Sequence, residues 1–334
     1  MHHQVKLYHH TSFAMNTTIE TILESTSDEK STHLNNMVQK WFRSTESRFS
    51  RFQPDSELSL LNSHSGKLVL ISDDMAEVLS LAQNFSGETQ GIFTPFVYDA
   101  LVAAGYDRSF EKVKEGSRAS SPAPQPRDFS MFLDVGMKAV QLQAGTRIDL
   151  GGIVKGWSAE RLSKRLVKKQ GVKRGLMNAG GDIQVWGGSS ADEPWNIGIA
   201  NPWDKEKEIA LVSLENGAVA TSNVIGRSWK REQGREGNHI IDPRTMQSCT
   251  SDVAQCSIVG ESLTQCEIWA KVACIVGVEQ AISLLTKHVP RLEALIVTKT
   301  GDVHFIGDEH SLQNRWEVES LQNVHKPARN EGED

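Results

Sequence analysis

What the chain lacks narrows its function first. Its four cysteines, Cys249, Cys256, Cys266 and Cys274, all fall in the last third, at spacings that match no zinc pattern. They read as buried free thiols of a reducing compartment. No apolar run approaches the ~20 residues that a membrane-spanning helix needs. The opening Met1-His-His-Gln-Val-Lys-Leu-Tyr lacks a basic region followed by an apolar stretch, and no early cysteine offers a lipid anchor. No run of Lys and Arg stands out, and the net charge is −6, which argues against wholesale nucleic-acid binding. The expectation is therefore a soluble cytoplasmic protein with no membrane anchor and no nucleic-acid partner.

What is present suffices for a large core. A chain of 334 residues with 38% hydrophobic content supports one big domain, or two intimately joined lobes. Residues 5 to 24 read as two strands around Phe13-Ala-Met-Asn-Thr17. A helix follows, with Thr26 and Glu29 as a capping box and Leu34, Met37, Val38, Trp41, Phe42, Thr45 and Phe49 on one apolar face. Gln53-Pro-Asp-Ser56 breaks it, and Glu57 to Asn62 reads as a short turn. Ser72 caps a second helix with Met75, Val78, Leu79, Ala82 and Phe85 inward. Thr94 and Pro95 open a helical segment running to Gly105. The charged, then Ser/Ala/Pro-rich stretch at 111–128 reads as an exposed loop.

Ala139 to Leu142 and Thr146 to Asp149 read as a hairpin turning at Ala144-Gly145, and Ile209 to Leu214 with Ala218 to Thr221 as another. Gly175 to Trp186 is a strand interrupted by Gly180-Gly181, and Trp195 to Ala200 alternates like its neighbour. Leu263 to Val276 and Glu279 to Lys287 read as helices, and Glu293 to Thr298 with Asp302 to Phe305 as a last hairpin. The pattern predicts an α+β fold, with helices packed on a largely antiparallel sheet, over residues 5–307. The polar segment 308–334 is expected to fray.

The densest chemistry lies in Arg147-Ile-Asp-Leu-Gly-Gly-Ile-Val-Lys-Gly-Trp157, where an acid, a glycine pair and a lysine meet ahead of a helix. Such a junction suits a phosphate or pyrophosphate on backbone N–H groups, although the pattern is neither GxxxxGK[ST] nor GxGxxG, and an ordinary glycine turn reads the same way. Three further stretches also end strands or open turns: Asn178-Ala-Gly-Gly-Asp182, Ala220-Thr-Ser-Asn223 and Asn238-His-Ile-Ile-Asp-Pro-Arg-Thr245. His239 is a candidate general base; a lone histidine is otherwise structural.

Taken in order, seven motifs resemble the FAD:protein FMN transferases of the ApbE family. They are Phe13-Ala-Met-Asn-Thr17, Arg51-Phe-Gln-Pro-Asp-Ser-Glu-Leu-Ser59 with Asn62, Gly91-Ile-Phe-Thr-Pro95, Asp149-Leu-Gly-Gly-Ile-Val-Lys-Gly156, Asn178-Ala-Gly-Gly-Asp-Ile183, Ala220-Thr-Ser222 and His239-Ile-Ile-Asp-Pro-Arg-Thr245. The resemblance implies that FAD is cleaved at its pyrophosphate, that AMP leaves, and that FMN is joined to a Thr or Ser hydroxyl of a target electron-transfer flavoprotein bearing an Asp-Gly-x-Thr-type segment. It implies Met15, Phe52, Ile92, Phe93, Thr94, Asp149, Lys155 and Ile240 along the FAD site, His239 as the base, and Mg²⁺ on the Gly152 carbonyl and Glu267. For Phe52, core packing competes with stacking on a flavin or adenine ring. Non-catalytic FAD binding and FAD hydrolysis without an acceptor are the alternative activities.

The chain departs from that family at the metal. Where many members carry Asp and, four residues later, Thr, this sequence has Glu267 and Lys271, one turn apart on a helix. Glu267 can coordinate Mg²⁺ through oxygen. Lys271 cannot, because an ammonium only donates. Lys271 therefore turns aside, or takes the cation's place, or forms a surface ion pair of little weight. Asn16, Asn223 and Met246 stand where the family often has glycine, which points to left-handed backbone at those positions.

Overall fold

The computed structural model describes residues 5–108, 124–126, 130–189, 193–226, 228–230 and 236–327. The expected loop at 111–128 lies outside them apart from 124–126. The chain opens on a hairpin, β1 (Lys6–Ala14) and β2 (Thr17–Ser25). Its two-residue turn, Met15-Asn16, has φ of 53° and 59°, the left-handed pair that matches the twist of the flanking strands. Then come α1 (Asp28–Phe49), α2 (Glu57–Ser63), β3 (Leu68–Leu70), α3 (Asp73–Glu88) and α4 (Tyr98–Ala103). Strands β4 (Met131–Asp134) and β5 (Ala139–Leu142) lead to α5 (Val154–Gln170). Next are β6 (Gly175–Ala179), β7 (Asp182–Trp186), β8 (Trp195–Ala200), β9 (Glu208–Leu214) and β10 (Gly217–Asn223). Four short strands follow, β11 (Ser228–Lys230), β12 (Glu236–Asn238), β13 (Ile241–Asp242) and β14 (Gln247–Ser248), ahead of β15 (Val253–Gly260). The chain continues with α6 (Leu263–Val276), α7 (Val278–His288), β16 (Glu293–Thr298), β17 (Val303–Ile306), α8 (Glu309–Arg315), β18 (Trp316–Val318) and β19 (Asn323–His325).

Nine strands make the main sheet in the order β1-β2-β6-β7-β10-β15-β16-β17-β19, antiparallel except for the β17–β19 pair. This is the α+β arrangement expected. Period-two alternation sorts the side chains: Ala218, Ala220, Cys256, Ile258 and Ile296 join the helices, whereas Val219, Val259, Leu295 and Val297 meet the β8–β9–β18 sheet on the other face. The middle of the sheet is thus buried on both sides. Helix α6 is wedged between α5 and strands β10 and β15, with Trp269 1% exposed, so the groups on its inner turns are held by the core.

Four expectations change. The α1 cap is Ser27, which accepts from Lys30 N at 3.2 Å, because β2 runs to Ser25 and leaves Thr26 outside the first turn. Ser27→Ala should cost about 1 kcal/mol, read as a lower urea midpoint at unchanged m. Residues 146–149 form no strand. The Asn62 side chain takes both polar groups of Ile148, donating to its O at 2.9 Å and accepting from its N at 2.8 Å, in the place of a neighbouring strand. Strands β9 and β10 belong to different sheets, so the Glu215 to Gly217 link crosses between layers and is no hairpin. The segment after Gly307 is not frayed through its described part. Trp316 inserts edge-on against Phe305 and donates to Glu293 Oε2 at 2.7 Å, while β18 pairs with β9. In smaller respects, Glu57 to Asn62 is helical, and α4 begins after Thr94 and Pro95.

Candidate functional site

At one end of the main sheet the β1–β2 turn, the β6–β7 turn and the last residues of β10 converge on a cavity of about 670 Å³. Its remaining walls are the end of α1, residues 92–94, the junction ahead of α5 and the inner side of α6. That volume lies within the range of small-molecule sites. Met15, Phe52, Ile92, Phe93, Thr94, Asp149, Gly152, Lys155, His239, Glu267 and Lys271 all line it. Ile240 does not. It is 1% exposed within the core, and the alternating chain turns Ile241 to the cavity instead.

One wall is apolar and aromatic. Phe52 is 38% exposed, which rules out core packing as its role, and it meets Tyr106 edge-on at 5.8 Å. Arg51 packs against both rings, its Cζ 4.2 Å from the Phe52 centroid and 4.6 Å from that of Tyr106. Arg51 Nη2 donates to Tyr106 O at 2.6 Å, and its Nε sits 3.0 Å from Asp149 Oδ2. The other Asp149 oxygen accepts from Gly151 N at 2.9 Å. Asp149, expected along the FAD site, thus fixes Arg51 and its own turn, and the Gly151 N–H is already engaged.

The opposite wall is charged. Lys155, in the first turn of α5, pairs with Asp182 and reaches Glu267 Oε1 at 3.2 Å. Glu267 Oε2 accepts from Gly156 N at 2.9 Å. Lys271 Nζ donates to Gly152 O at 2.9 Å and lies 3.9 Å from Glu267 Oε1. Two glycines permit this crowding: a Cβ at Gly156 would come within 2.9 Å of Glu267 Oε2, and one at Gly152 within 2.8 Å of Lys271 Nζ. Lys271 is accordingly no surface residue, and its ion pair is not the weak exposed kind.

Burial acts on Asp182, Glu267 and Lys271. It pushes the Asp182 carboxyl up to about 6, against the pull of Lys155 and with the help of the Glu267 charge. Burial also raises Glu267, but Lys155, Lys271 and the Gly156 N–H outweigh it and hold that carboxyl below its ordinary value. Burial lowers Lys271, with Glu267 opposing. For Asp182 the ionised form costs stability above about pH 6, and the cost is relieved as pH falls toward its ordinary 3.8. Asp182→Asn should therefore be most favourable relative to the parent protein at pH 7 and lose that advantage toward pH 4, as measured by thermal unfolding across the interval.

The two oxygens expected to hold Mg²⁺, Gly152 O and a Glu267 carboxylate oxygen, are both faced by ammonium groups. Among the described residues there is no group of three or more His, Cys, Asp or Glu side chains arranged for a metal. These residues do not fit a dedicated divalent site.

His239 sits half-buried at the corner after β12. Its neighbour Asn238 pins that corner: the side-chain amide donates to Cys249 O at 2.9 Å, its oxygen accepts from Ile240 N at 3.0 Å, and the backbone N donates to Ser248 Oγ at 3.1 Å. Met246, in the next turn, adopts φ of 53°, as does Met15, with Asn16 at 59°. Asn223 does not take positive φ. Its side chain instead accepts from Ile225 N at 2.7 Å and Gly226 N at 2.8 Å. Arg51 and Asp182 are site residues that sequence reasoning did not select, although both stand inside motifs it quoted. The four cysteines are buried and free, and no helix among the described residues is long and apolar enough to cross a membrane.

The chain is similar in sequence and fold to known proteins. The chain is 24% identical to an FAD:protein FMN transferase of Escherichia coli K12 across 82% of its own length and 79% of that protein. It is 29% identical to an FAD:protein FMN transferase of Treponema pallidum across 73% and 71%. Its fold is similar to the ApbE protein of Thermotoga maritima, with a TM-score of 0.79 at 22% identity over 93% of this chain and 100% of that one. The flavin transferase ApbE of Vibrio cholerae superposes with a TM-score of 0.72 at 19% identity, over 96% and 98%. The ApbE family model matches residues 15–296, which is most of the chain and all of the motifs quoted above except the first two residues of the earliest, and the chain belongs to the ApbE family.

Proposed function

We propose that this chain is an FAD:protein FMN transferase of the cytoplasm, which moves FMN from FAD to a Thr or Ser of an electron-transfer flavoprotein carrying an Asp-Gly-x-Thr-type segment. The observation that carries the reading is the pairing, in one cavity, of an exposed aromatic wall with two ammonium groups and a histidine. Phe52, Met15, Ile92 and Phe93 supply apolar surface for the ring systems, with Thr94 at their edge. Lys155 and Lys271 supply charge for the pyrophosphate. His239 takes the proton of the acceptor hydroxyl as its oxygen attacks the FMN phosphorus. The P–O bond to AMP breaks, AMP carries away the electron pair, and a phosphodiester to the acceptor forms.

Phosphoryl transfer of this kind depends on positioning and charge neutralisation rather than on covalent help from the protein. No step is routed through Mg²⁺, whose expected ligands face lysine. The buried free cysteines are in keeping with a reducing compartment. Chromatography of nucleotides after incubation with FAD and an acceptor domain tests the reading. Transfer releases AMP without free FMN. Equal release of AMP and FMN would instead mark a pyrophosphatase, and intact FAD bound one to one would mark a flavin carrier.

A further inference from the structure

We infer that the Lys271 ammonium stands in for a divalent cation, so that this protein holds the pyrophosphate of FAD without a metal. The inference rests on the FAD reading above and adds what neutralises its phosphates. Lys271 Nζ lies 2.9 Å from Gly152 O and 3.9 Å from Glu267 Oε1, the two oxygens a cation would require. A divalent ion sits about 2.0–2.6 Å from its oxygen ligands, so one bound to this pair would press against the ammonium and be repelled by it. An ammonium has three donors and no acceptor. With one on the Gly152 carbonyl and one toward Glu267, the third is left for a phosphate oxygen.

The arrangement is built in rather than incidental. Lys271 is one turn beyond Glu267 on the core helix α6, with its side chain 18% exposed, and it cannot swing away as a surface lysine does. Glu267 is held by the Gly156 N–H on Oε2 and by Lys155 on Oε1, the oxygen that Lys271 also faces. Gly152 lacks the Cβ that would occupy the ammonium's place, since that atom would lie 2.8 Å from Nζ. A lysine here is thus accommodated by both neighbouring elements.

The test uses the purified full chain, with FAD binding followed by flavin fluorescence in EDTA and in millimolar MgCl₂, and Mn²⁺ binding followed by electron paramagnetic resonance. The wild type should bind FAD equally well, within twofold, with EDTA or Mg²⁺, and should bind no Mn²⁺ in the cavity with or without FAD. Lys271→Met should weaken FAD binding at least tenfold with no recovery in Mg²⁺. Lys271→Thr, which restores an oxygen, should be equally weak in EDTA, recover at least tenfold in Mg²⁺ and bind one Mn²⁺. Loss of wild-type FAD affinity in EDTA, or one tightly bound Mn²⁺ per wild-type chain, overturns the inference, and these arms need no variant to fold. If FAD binds in EDTA but is never cleaved, the transferase reading fails while the cation replacement holds. If FAD does not bind at all, that reading fails and the Mn²⁺ arm alone decides the cation.

Discussion

His239→Ala lowers the rate of FMN transfer about 10²–10⁴-fold, the range by which a positioned general base accelerates proton removal, while FAD stays bound. The separation of the two effects follows from how the corner is built. Asn238 makes the hydrogen bonds to Cys249, Ser248 and Ile240 that hold it, and these survive removal of the neighbouring imidazole. In the proposed reading the rings and phosphates of FAD are met by other elements: the end of α1, the 92–94 segment, α5 and α6. The expected signature in steady-state kinetics is a fall in kcat with the KM for FAD changed less than about threefold, the pattern of an interaction used only in the transition state. Unchanged kcat in the folded variant would remove His239 from the chemistry.

Glu267→Ala lowers stability by about 3–5 kcal/mol, the effect of removing one partner from a buried ion pair. Its carboxylate is 3% exposed and faces Lys155 at 3.2 Å and Lys271 at 3.9 Å, with Gly156 N at 2.9 Å. The substitution leaves two half-buried ammoniums with one fewer counter-charge and one buried N–H without an acceptor. Because the Glu267 carboxyl is held below its ordinary value of 4.5, the stability it contributes is fully present above about pH 4.5 and is lost as pH falls through its lowered value. The difference in unfolding midpoint between variant and wild type should therefore be largest near neutrality and shrink in acid. A difference that stays constant through the acid range would mean that packing, not charge, carries the effect. Glu267→Gln separates the two further, since it keeps the volume and the acceptor for Gly156 N–H while removing the charge.

Much of this site was legible in the sequence because its parts are local. The glycine pairs at 151–152 and 180–181 mark turns, and a lysine at the start of a helix lies beside the turn that precedes it. What was not legible depends on contacts between distant segments. That Asn62 replaces a strand partner for Ile148, 86 positions away, could not be read from an alternation that looked like a hairpin. That Asp149 binds Arg51 joins two motifs which each looked complete. The link at Glu215 to Gly217 has the composition of a hairpin turn and yet passes between two sheets, since turn chemistry fixes local direction and not the layer entered next. The tail after Gly307 is polar overall, but a single buried Trp316 and short strand pairings outweigh its composition. Lys271 was the reverse case. Its unsuitability as a metal ligand was plain from residue type alone, and the structure supplied the two oxygens it faces.

The mass of an acceptor domain incubated with this protein and FAD tests the central claim most directly. An increase of one FMN unit on the acceptor Thr, equimolar with the AMP released, is the expected result. An acceptor that keeps its mass while FAD remains intact in the cavity would contradict it.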